Sequence, residues 1–301
     1  MARPDILLLP GGASPALTAE LERRFAVHQA PGDAGPRIRA IVGGGSSVVD
    51  AGLIAALPAL EIIAINGVGH DGIDLAAAKA RGIPVTITRG VLDDDVADLA
   101  IALMLSVSRR IAVNDRAIRD GGWQAPLSRR LSGRRIGLYG MGAIGRAIAR
   151  RADPFAGEIL YTSRAAKPDL PWRHVPDLAA LAEASDVLVV IVPATPETAG
   201  TVDAAILDRL GPDGILVNVA RGAIVDEPAL IRALAEGRIA GAGLDVFADE
   251  PHVPDALRAM EQVVLSPHQG SATIETRAAM ADLVLANLDA HFAGRPLLTP
   301  L

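Results

Sequence analysis

The sequence predicts an α/β protein in which parallel sheets are distributed over two domains. Short runs of β-branched residues and leucine alternate with segments of helical periodicity, as expected for parallel strands joined by helices. The 301 residues are about twice the commonest length of a single domain. Aromatic residues make up 3% of a chain that is 50% hydrophobic, so small aliphatic side chains must form the core, which suits buried parallel strands.

The first third of the chain contains one alternating set of strands and helices. Each predicted strand is a short apolar run bounded by glycine, proline or asparagine. These strands are 6–9, 40–42, 62–65 and 84–88. Apolar residues have helical spacing at 15–25 and 73–81. This order predicts one α/β unit with a parallel sheet.

The second part of the chain begins with aspartates at 93–95, which are typical of a helix N-terminus. They open a predicted connecting helix over 93–119, which Gly121 and Gly122 end. A second alternation predicts a six-stranded parallel sheet with strands at 135–139, 159–162, 187–192, 215–219, 243–246 and 263–266. A final helix at 273–292 is expected to return to the first domain. The predicted domains are therefore 1–98 with 270–301, and 99–269.

The composition excludes several classes of partner. Lys plus Arg total 29 and Asp plus Glu 35, a net charge of −6 without a basic stripe, which argues against nucleic-acid and anionic-membrane surfaces. The chain has no cysteine, so disulfides and thiolate chemistry are excluded. The first residues lack the apolar core of a signal peptide, and no apolar run is long enough to span a bilayer. We therefore expect a cytoplasmic protein with a small-molecule ligand.

A glycine-rich turn follows the predicted strand 135–139 and opens a helix. Its glycines have the GxGxxG spacing of dinucleotide-binding domains, in which the first makes the turn, the second admits the pyrophosphate and the third lets helix and strand pack closely. This context favours dinucleotide binding over a purely structural turn. The residues expected to contact the cofactor here are Gly140, Met141, Gly142, Ala143, Ile144 and Gly145.

The strand after this turn ends in residues that should discriminate between the two nicotinamide dinucleotides. An NAD-binding domain normally has Asp or Glu there, which accepts hydrogen bonds from the ribose hydroxyls. This chain has Ser163 and Arg164, with Lys167 close behind. A hydroxyl and two cations would bind a 2′-phosphate that a carboxylate would repel. We therefore expect NADPH to be preferred and NADH to be weaker, although solvated loop charges are the other interpretation.

Arg221, Glu250 and His268 each follow one of three successive predicted strands. Ligands of open parallel sheets bind beyond the carboxyl ends of the strands, so these side chains should border one crevice near the cofactor. Hydride transfer to a 2-oxo acid needs a cation for the carboxylate and carbonyl, a proton donor, and a carboxylate that orients and charges the donor. Each residue taken singly also has a structural explanation. The other five histidines lack metal-ligand spacing, so no metal is expected.

Several motifs in a fixed order resemble the D-isomer-specific 2-hydroxyacid dehydrogenase family. They run from Asn66 to the C-terminus and comprise GVGHDGID at 67–74, the glycine-rich turn, VARG at 219–222, LDVF at 244–247 and SPH at 266–268. Within this family, segments 91–98, 162–164, 268–277 and 295–301 are similar to NADPH-preferring glyoxylate/hydroxypyruvate reductases and hydroxyphenylpyruvate reductases. Residues 1–65 are less distinctive.

This resemblance implies a Rossmann dinucleotide-binding domain and a smaller, flavodoxin-like α/β substrate domain. Arg221 would bind the carboxylate and carbonyl of a 2-oxo acid, His268 would act as acid/base, and Glu250 would hold His268. A homodimer formed mainly through the cofactor domains is also implied. The further implied contacts are the backbone amides of Val68 and Gly69 for the substrate, and Pro193 and Asp245 for the cofactor.

The leading interpretation is an NADPH-dependent reductase that converts glyoxylate, hydroxypyruvate or phenylpyruvate-type substrates into D-2-hydroxy acids. A dinucleotide-sensing regulatory protein on the same fold is one alternative. An NAD-dependent dehydrogenase of another substrate, such as 3-phosphoglycerate, is the second. The basic loop at Arg164 favours the reductase over both. Arg89 departs from the family pattern, since many relatives have proline before Gly90, and both an acidic substrate tail and simple exposure would explain it.

Overall fold

The computed structural model describes residues 3–123 and 126–301, which form two compact units. One unit comprises the chain up to Leu92 together with Thr273–Leu301, and the other comprises Asp93–Ala272. The first unit is therefore discontinuous in sequence. The sequence predicts a substrate domain of residues 1–98 with 270–301 and a dinucleotide-binding domain of residues 99–269, and these limits stay a prediction.

The first unit is built on a five-stranded parallel sheet. Its strands are β1 (Asp5–Leu8), β2 (Ala26–His28), β3 (Ile38–Gly44), β4 (Ile62–Asn66) and β5 (Val85–Ile87), and its helices are α1 (Pro15–Arg24), α2 (Ala51–Ala56), α3 (Leu75–Ala80) and α11 (Ile274–Phe292). The spatial order is β2-β1-β3-β4-β5. This is the strand order of flavodoxin-like sheets, so the predicted fold class is confirmed here.

Helices cover both faces of this sheet because successive side chains of a strand point to opposite sides. In β1, Leu7 joins the buried cluster on one face, while Ile6 and Leu8 join the cluster on the other. Val284 and Leu288 of α11 belong to the second cluster. The last helix of the chain is thus part of the core of the first unit.

The second unit is built on a seven-stranded parallel sheet. Its strands are β6 (Arg135–Tyr139), β7 (Glu158–Thr162), β8 (Arg173–His174), β9 (Val187–Val190), β10 (Ile215–Asn218), β11 (Gly241–Leu244) and β12 (Val263–Leu265). Its helices are α4 (Asp93–Arg109), α5 (Ile111–Arg119), α6 (Ala143–Ala152), α7 (Leu178–Ala184), α8 (Ala204–Leu210), α9 (Glu227–Ala235) and α10 (Asp255–Ala259). Across both units, no helix within the described ranges is long and apolar enough to cross a membrane.

The order of the second sheet is β12-β11-β10-β9-β6-β7-β8. Counted from β6, this is the doubly wound Rossmann order with β12 as a further edge strand, which confirms the predicted class of the domain. The prediction of six strands is wrong by one. The strand that the prediction lacks is β8, Arg173–His174, which is two residues long and too short to produce a periodic signal.

The predicted helix over 93–119 is two helices in the structure. Arg110 takes a left-handed backbone conformation with φ of 52°, which separates α4 from α5. Such a conformation is unusual for a residue other than glycine, and no glycine or proline marks the break in sequence. The sequence therefore gives no local reason to divide the helix.

Strand β11 begins two residues earlier than predicted, at Gly241 instead of residue 243. Glycine is disfavoured in strand interiors unless another backbone or helix approaches closely. A Cβ added at Gly243 would lie 2.9 Å from Cβ of Leu103 on α4. The glycines of β11 therefore allow α4 to pack against the sheet, and this tertiary contact explains the error.

Candidate active site

The glycine-rich turn after β6 is shaped by two close backbone approaches. Gly140 has φ of +116°, and a Cβ added there would lie 2.5 Å from the carbonyl oxygen of Ile191, which follows β9. A Cβ added at Gly145 would lie 2.5 Å from the carbonyl oxygen of Gly140. Both positions therefore require glycine, one for the turn and one for helix-to-strand packing.

Gly142 differs from these two glycines because the space beside it is open. A Cβ added at Gly142 would meet no atom within 4 Å, and the residue is exposed. Gly142 is also the N-cap of α6 and supplies no side-chain hydrogen bond to the first turn. A helix N-terminus with free N–H groups and no covering side chain is suited to bind a phosphate group. The turn thus fits the pyrophosphate of a dinucleotide.

The other predicted residues of this turn divide by exposure. Met141 is buried at 2% exposure, Ala143 is exposed, and Ile144 is half-buried. The exposed face formed by Gly142 and Ala143 is where a ligand can approach the helix. The predicted cofactor contacts of all six residues stay predictions.

The end of β7 presents the basic residues that the sequence predicts. The guanidinium of Arg164 is exposed and has no hydrogen bond or ion pair within the described ranges. Ser163 Oγ donates to the carbonyl oxygen of Ala165 at 2.7 Å, and the Lys167 backbone is held by the hydroxyl of Tyr161. Asp169 pairs with Arg146 at 2.6 Å and not with Arg164. Arg164 is thus an available cation beside the second strand.

The loop after β9 carries Pro193, which is exposed. Its carbonyl oxygen accepts a hydrogen bond from Thr198 Oγ1 at 2.7 Å, and the same hydroxyl accepts one from the Thr195 N–H at 2.8 Å. These bonds fold the loop back on itself at the carboxyl end of the sheet. The predicted contact of Pro193 with the cofactor stays a prediction.

Arg221 lies in a tight turn after β10 that a buried amide side chain holds. Asn218, the last residue of β10, is 1% exposed, and its Nδ2 donates to the carbonyl oxygen of Arg221 at 3.0 Å. Its Oδ1 accepts the Ala220 N–H at 3.1 Å. Sequence reasoning missed Asn218, although an amide that ends a run of buried aliphatic residues is a usable signal.

His268 and Glu250 form the pair that the sequence predicts. The distance from His268 Nδ1 to Glu250 Oε2 is 2.7 Å, and Glu250 Oε1 accepts the N–H of Phe247 at 3.0 Å. The two side chains are 38% and 32% exposed. Within the part of the chain that the structure describes, Nε2 of His268 has no hydrogen-bond partner, so this atom is available to a substrate.

The charge state of Glu250 follows from its surroundings. Burial raises the pKa of the carboxyl group, but the hydrogen bonds from His268 and Phe247 and the positive charges of His268 and Arg221 outweigh this and hold the pKa below its usual value. Glu250 is therefore ionised in the neutral pH range. An ionised Glu250 accepts a hydrogen bond from Nδ1 of His268 and so leaves Nε2 to face a ligand.

Asp245, which follows β11, is 2% exposed and accepts three hydrogen bonds from the segment that carries His268. Its donors are the hydroxyl of Ser266 and the N–H groups of Gln269 and Gly270. Sequence reasoning assigned Asp245 to the cofactor and missed Ser266, and the cofactor contact stays a prediction.

In the first unit, Val68 and Gly69 lie in the loop after β4 and are half-buried. Their N–H groups donate to no acceptor within residues 3–123 and 126–301. Two successive free N–H groups can bind a carboxylate. The structure thus leaves both residues able to take the predicted role without testing it.

A glycine-rich phosphate turn and a histidine–carboxylate pair at the strand ends of one Rossmann unit define a dinucleotide-dependent oxidoreductase. The chain belongs to the D-isomer-specific 2-hydroxyacid dehydrogenases, since the model of that family's NAD-binding domain matches residues 101–270. The sequence-based resemblance is confirmed. Asp245, Glu250 and His268 all lie within the matched region.

Two relatives and one crystal structure show how far the similarity extends. Glyoxylate/hydroxypyruvate reductase A of Arabidopsis thaliana is 51% identical over 267 residues, which cover 88% of this chain and 85% of that protein. The 2-ketogluconate reductase of Gluconobacter oxydans is 46% identical over 308 aligned positions, covering 100% and 99%. An NADPH-dependent glyoxylate/hydroxypyruvate reductase of Sinorhizobium meliloti, crystallised with NADP and malonate, is 43% identical with a TM-score of 0.94, covering 100% and 97%.

Proposed function

We propose that this protein reduces small 2-oxo acids, such as glyoxylate and hydroxypyruvate, to the corresponding 2-hydroxy acids with NADPH, giving the D-isomer where the product is chiral. The observation that carries the proposal is the imidazole of His268, held at Nδ1 by Glu250 and free at Nε2, in the same unit as the glycine-rich turn. The names of the similar proteins support the same substrate class.

The residues divide the reaction between charge binding and proton transfer. Bound NADPH would supply the hydride that reduces C2 of the substrate. His268 donates the proton that the C2 oxygen then requires, and Glu250 holds the imidazole at Nδ1. Arg221 binds the substrate carboxylate and polarises the carbonyl. In the first unit, the backbone N–H groups of Val68 and Gly69 are suited to bind a carboxylate.

The preference for NADPH is inferred from the end of β7. At this position NAD-binding domains have a ribose-binding carboxylate, which would repel a phosphate, whereas this chain has Ser163, Arg164 and Lys167. Arg164 has no competing partner among the described residues. A charge-assisted contact with the 2′-phosphate would therefore cost no existing ion pair of Arg164. Burial of Met141 and exposure of Gly142 leave the turn free for the pyrophosphate.

The proposed function is tested by initial rates with glyoxylate, hydroxypyruvate, pyruvate, phenylpyruvate and 2-ketogluconate, each with NADPH and with NADH. We expect the highest kcat/KM with NADPH and with glyoxylate or hydroxypyruvate. A protein that binds NADPH but turns over none of these acids would be a dinucleotide sensor. Faster turnover with NADH throughout would favour the NAD-dependent alternative.

Replacing Arg164 by alanine should weaken NADPH selectively, by about 1–3 kcal/mol, because the variant loses a charge-assisted bond to the 2′-phosphate. The KM for NADH should be unchanged. Arg232→Ala is a matched control, since this exposed guanidinium on α9 also has no ion pair within the described ranges. Equal losses with NADPH and NADH would remove Arg164 from the cofactor site.

We also propose that the protein is a homodimer whose subunits meet through α5 and its flanks. The segment from α4 to residue 127 exposes large apolar side chains, namely Leu105, Ile111, Ile118, Trp123 and Leu127 at 38, 50, 52, 88 and 100%. Ile111 and Ile118 share one face of α5, and no residue of this helix is buried. An apolar surface of this kind is typical of an interface, and a second copy would cover it.

The dimer is tested by sedimentation velocity at micromolar concentration. We expect twice the monomer mass for the parent chain. Ile118→Asp places a charge on the exposed face of α5 and should shift the equilibrium towards monomer without a loss of helix content. A monomeric parent chain would contradict the proposal.

A further inference from the structure

We propose that Asp245 is a positioning residue for His268, because its buried carboxylate binds the segment 266–270 through a side-chain hydroxyl before the histidine and through two backbone N–H groups after it. This inference rests on the acid/base function proposed for His268. Asp245 Oδ1 accepts the Ser266 hydroxyl at 2.6 Å and the Gln269 N–H at 2.7 Å. Oδ2 accepts the Gly270 N–H at 2.9 Å. One side chain therefore binds the segment before and after His268.

The backbone of His268 itself requires such support. Its φ is +53°, in the left-handed region that residues with a side chain rarely adopt. The His268 N–H donates to the carbonyl oxygen of Asp245 at 2.9 Å, so main chain and side chain of Asp245 act on the same segment. The left-handed conformation determines the direction of the side chain and hence the position of Nε2.

The oxygens of a carboxyl group satisfy all of these donors, whereas those of an amide do not. Three donors converge on two oxygens, and each of the two N–H groups needs an acceptor. An amide at position 245 would direct its own N–H groups at the Gln269 or the Gly270 N–H, whichever way it is turned. The Ser266 hydroxyl could reverse its hydrogen bond, but a backbone N–H cannot. An aspartate at position 245 therefore supplies the acceptors that hold the segment 266–270.

The neighbouring strand end shows the complementary arrangement. Asn218 must donate to the carbonyl oxygen of Arg221 and accept the Ala220 N–H, so an amide is suitable there. The two strand ends are joined, since the Asp245 N–H donates to the carbonyl oxygen of Asn218 at 3.0 Å. Each buried polar residue has the donors and acceptors that the turn following its strand needs.

The space around the segment is also restricted. A Cβ added at Gly270 would lie 3.2 Å from Oδ2 of Asp245 and 3.3 Å from Cγ2 of Val96 on α4. The segment therefore has little room to shift while its hydrogen bonds are kept. Burial raises the pKa of Asp245, while the hydrogen bonds from Ser266, Gln269 and Gly270 oppose this rise, as expected for a carboxylate kept inside for these bonds.

A positioning function and a cofactor-binding function of Asp245 predict different kinetics. If Asp245 positions His268, its loss lowers kcat and leaves the affinity for NADPH unchanged. If Asp245 mainly binds the cofactor, its loss raises the Kd for NADPH. Ser266 separates the two cases best, because its hydroxyl donates to the Asp245 carboxylate. Removing this hydroxyl takes away one hydrogen bond that holds the segment and leaves Asp245 itself unchanged.

The experiment compares Asp245→Asn, Ser266→Ala and Ser266→Thr with the parent, measuring kcat and KM for glyoxylate reduction and the Kd for NADPH by fluorescence titration. We expect kcat to fall about 100-fold for Asp245→Asn, since misplacement by about 1 Å can have this effect. For Ser266→Ala we expect a fall of about 3- to 10-fold, the value of one hydrogen bond. Ser266→Thr keeps the hydroxyl and should recover most of kcat. The Kd for NADPH should stay within about twofold throughout.

Several results would overturn the inference. An increase in the Kd for NADPH with kcat unchanged would make Asp245 a cofactor ligand and not a positioning residue. Unchanged kcat in Ser266→Ala would show that the segment does not need this bond, and this variant decides the matter if Asp245→Asn does not fold. A parent chain without any 2-oxo acid reduction would instead refute the proposed function.

Discussion

Replacing His268 by alanine is expected to lower kcat/KM for glyoxylate reduction by about 10²- to 10⁴-fold, the usual contribution of a general acid. The substitution removes Nε2, the atom that has no partner among the described residues and is available to the substrate oxygen. The Kd for NADPH should change little, since the glycine-rich turn lies at a different strand end. Steady-state rates and a fluorescence titration together check both expectations.

The companion variant Glu250→Gln tests how the imidazole is kept protonated. The pKa of Glu250 lies below its usual value, so the carboxylate is ionised throughout the neutral range and places a negative charge beside Nδ1 of His268. The protonated form is the competent one for reduction and is lost as pH rises. Removing the negative charge should therefore move the fall in reduction rate to lower pH, while the reverse oxidation gains at that lower pH.

Asp249→Asn provides the matched control for this pH profile. Asp249 is adjacent in sequence, and its side chain is 88% exposed, so the variant changes the same charge without touching His268. Its profile should overlay that of the parent chain. An identical result for Glu250→Gln would exclude Glu250 as the partner of His268.

Replacing Gly222 by alanine should have the largest effect on stability. A Cβ at this position would overlap the carbonyl group of Phe247 and come within 2.5 Å of the Ala248 nitrogen. Both neighbours are backbone atoms and cannot rotate away, so the strand ends must separate. We expect the free energy of unfolding to fall by about 3–5 kcal/mol, at or above the upper part of the range for overpacking.

The same substitution should also reduce activity in the fraction that folds. Gly222 follows Arg221, and Phe247 donates its N–H to Glu250, so separation of these segments displaces both functional side chains. Gly35→Ala is the control for stability, because the nearest atom to an added Cβ there is 3.6 Å away. Urea unfolding of the three proteins gives the comparison. Equal stability of Gly222→Ala and the parent would show that the backbone in this turn can yield.

Much of the fold could be predicted because its strands are buried on both faces. Runs such as 62–65 and 187–192 are uniformly aliphatic, and they are followed by Asn66 and by Pro193 respectively, so their type is clear from sequence. Edge strand β8 could not be found, since it has two residues and no apolar pattern. The break at Arg110 is a left-handed residue without a glycine or proline beside it, so no local signal reveals it in the sequence.

The candidate site was predictable for side chains that lie just beyond a strand and bear a charge. Glu250 and His268 are brought together at 2.7 Å although they are 18 residues apart. Asn218 and Ser266 were missed because they carry no charge. The position of Asn218 at the end of a buried aliphatic run is a usable signal of a polar contact, but the sequence does not show which groups either residue binds. Three-dimensional structure was needed to find the groups that hold the reactive ones.

Burial of the Asp245 carboxylate has a consequence for the acid–base thermodynamics of folding. A raised pKa means that the folded protein binds this proton more tightly than the unfolded chain, so the contribution of Asp245 to the free energy of unfolding declines as pH rises above about 4, the usual range for aspartate. Glu250, with its lowered pKa, contributes in the opposite direction and loses its stabilisation as the solution is acidified. The two carboxyl groups thus act in opposite senses on the pH dependence of stability, so acidification strengthens the contribution of Asp245 and weakens that of Glu250.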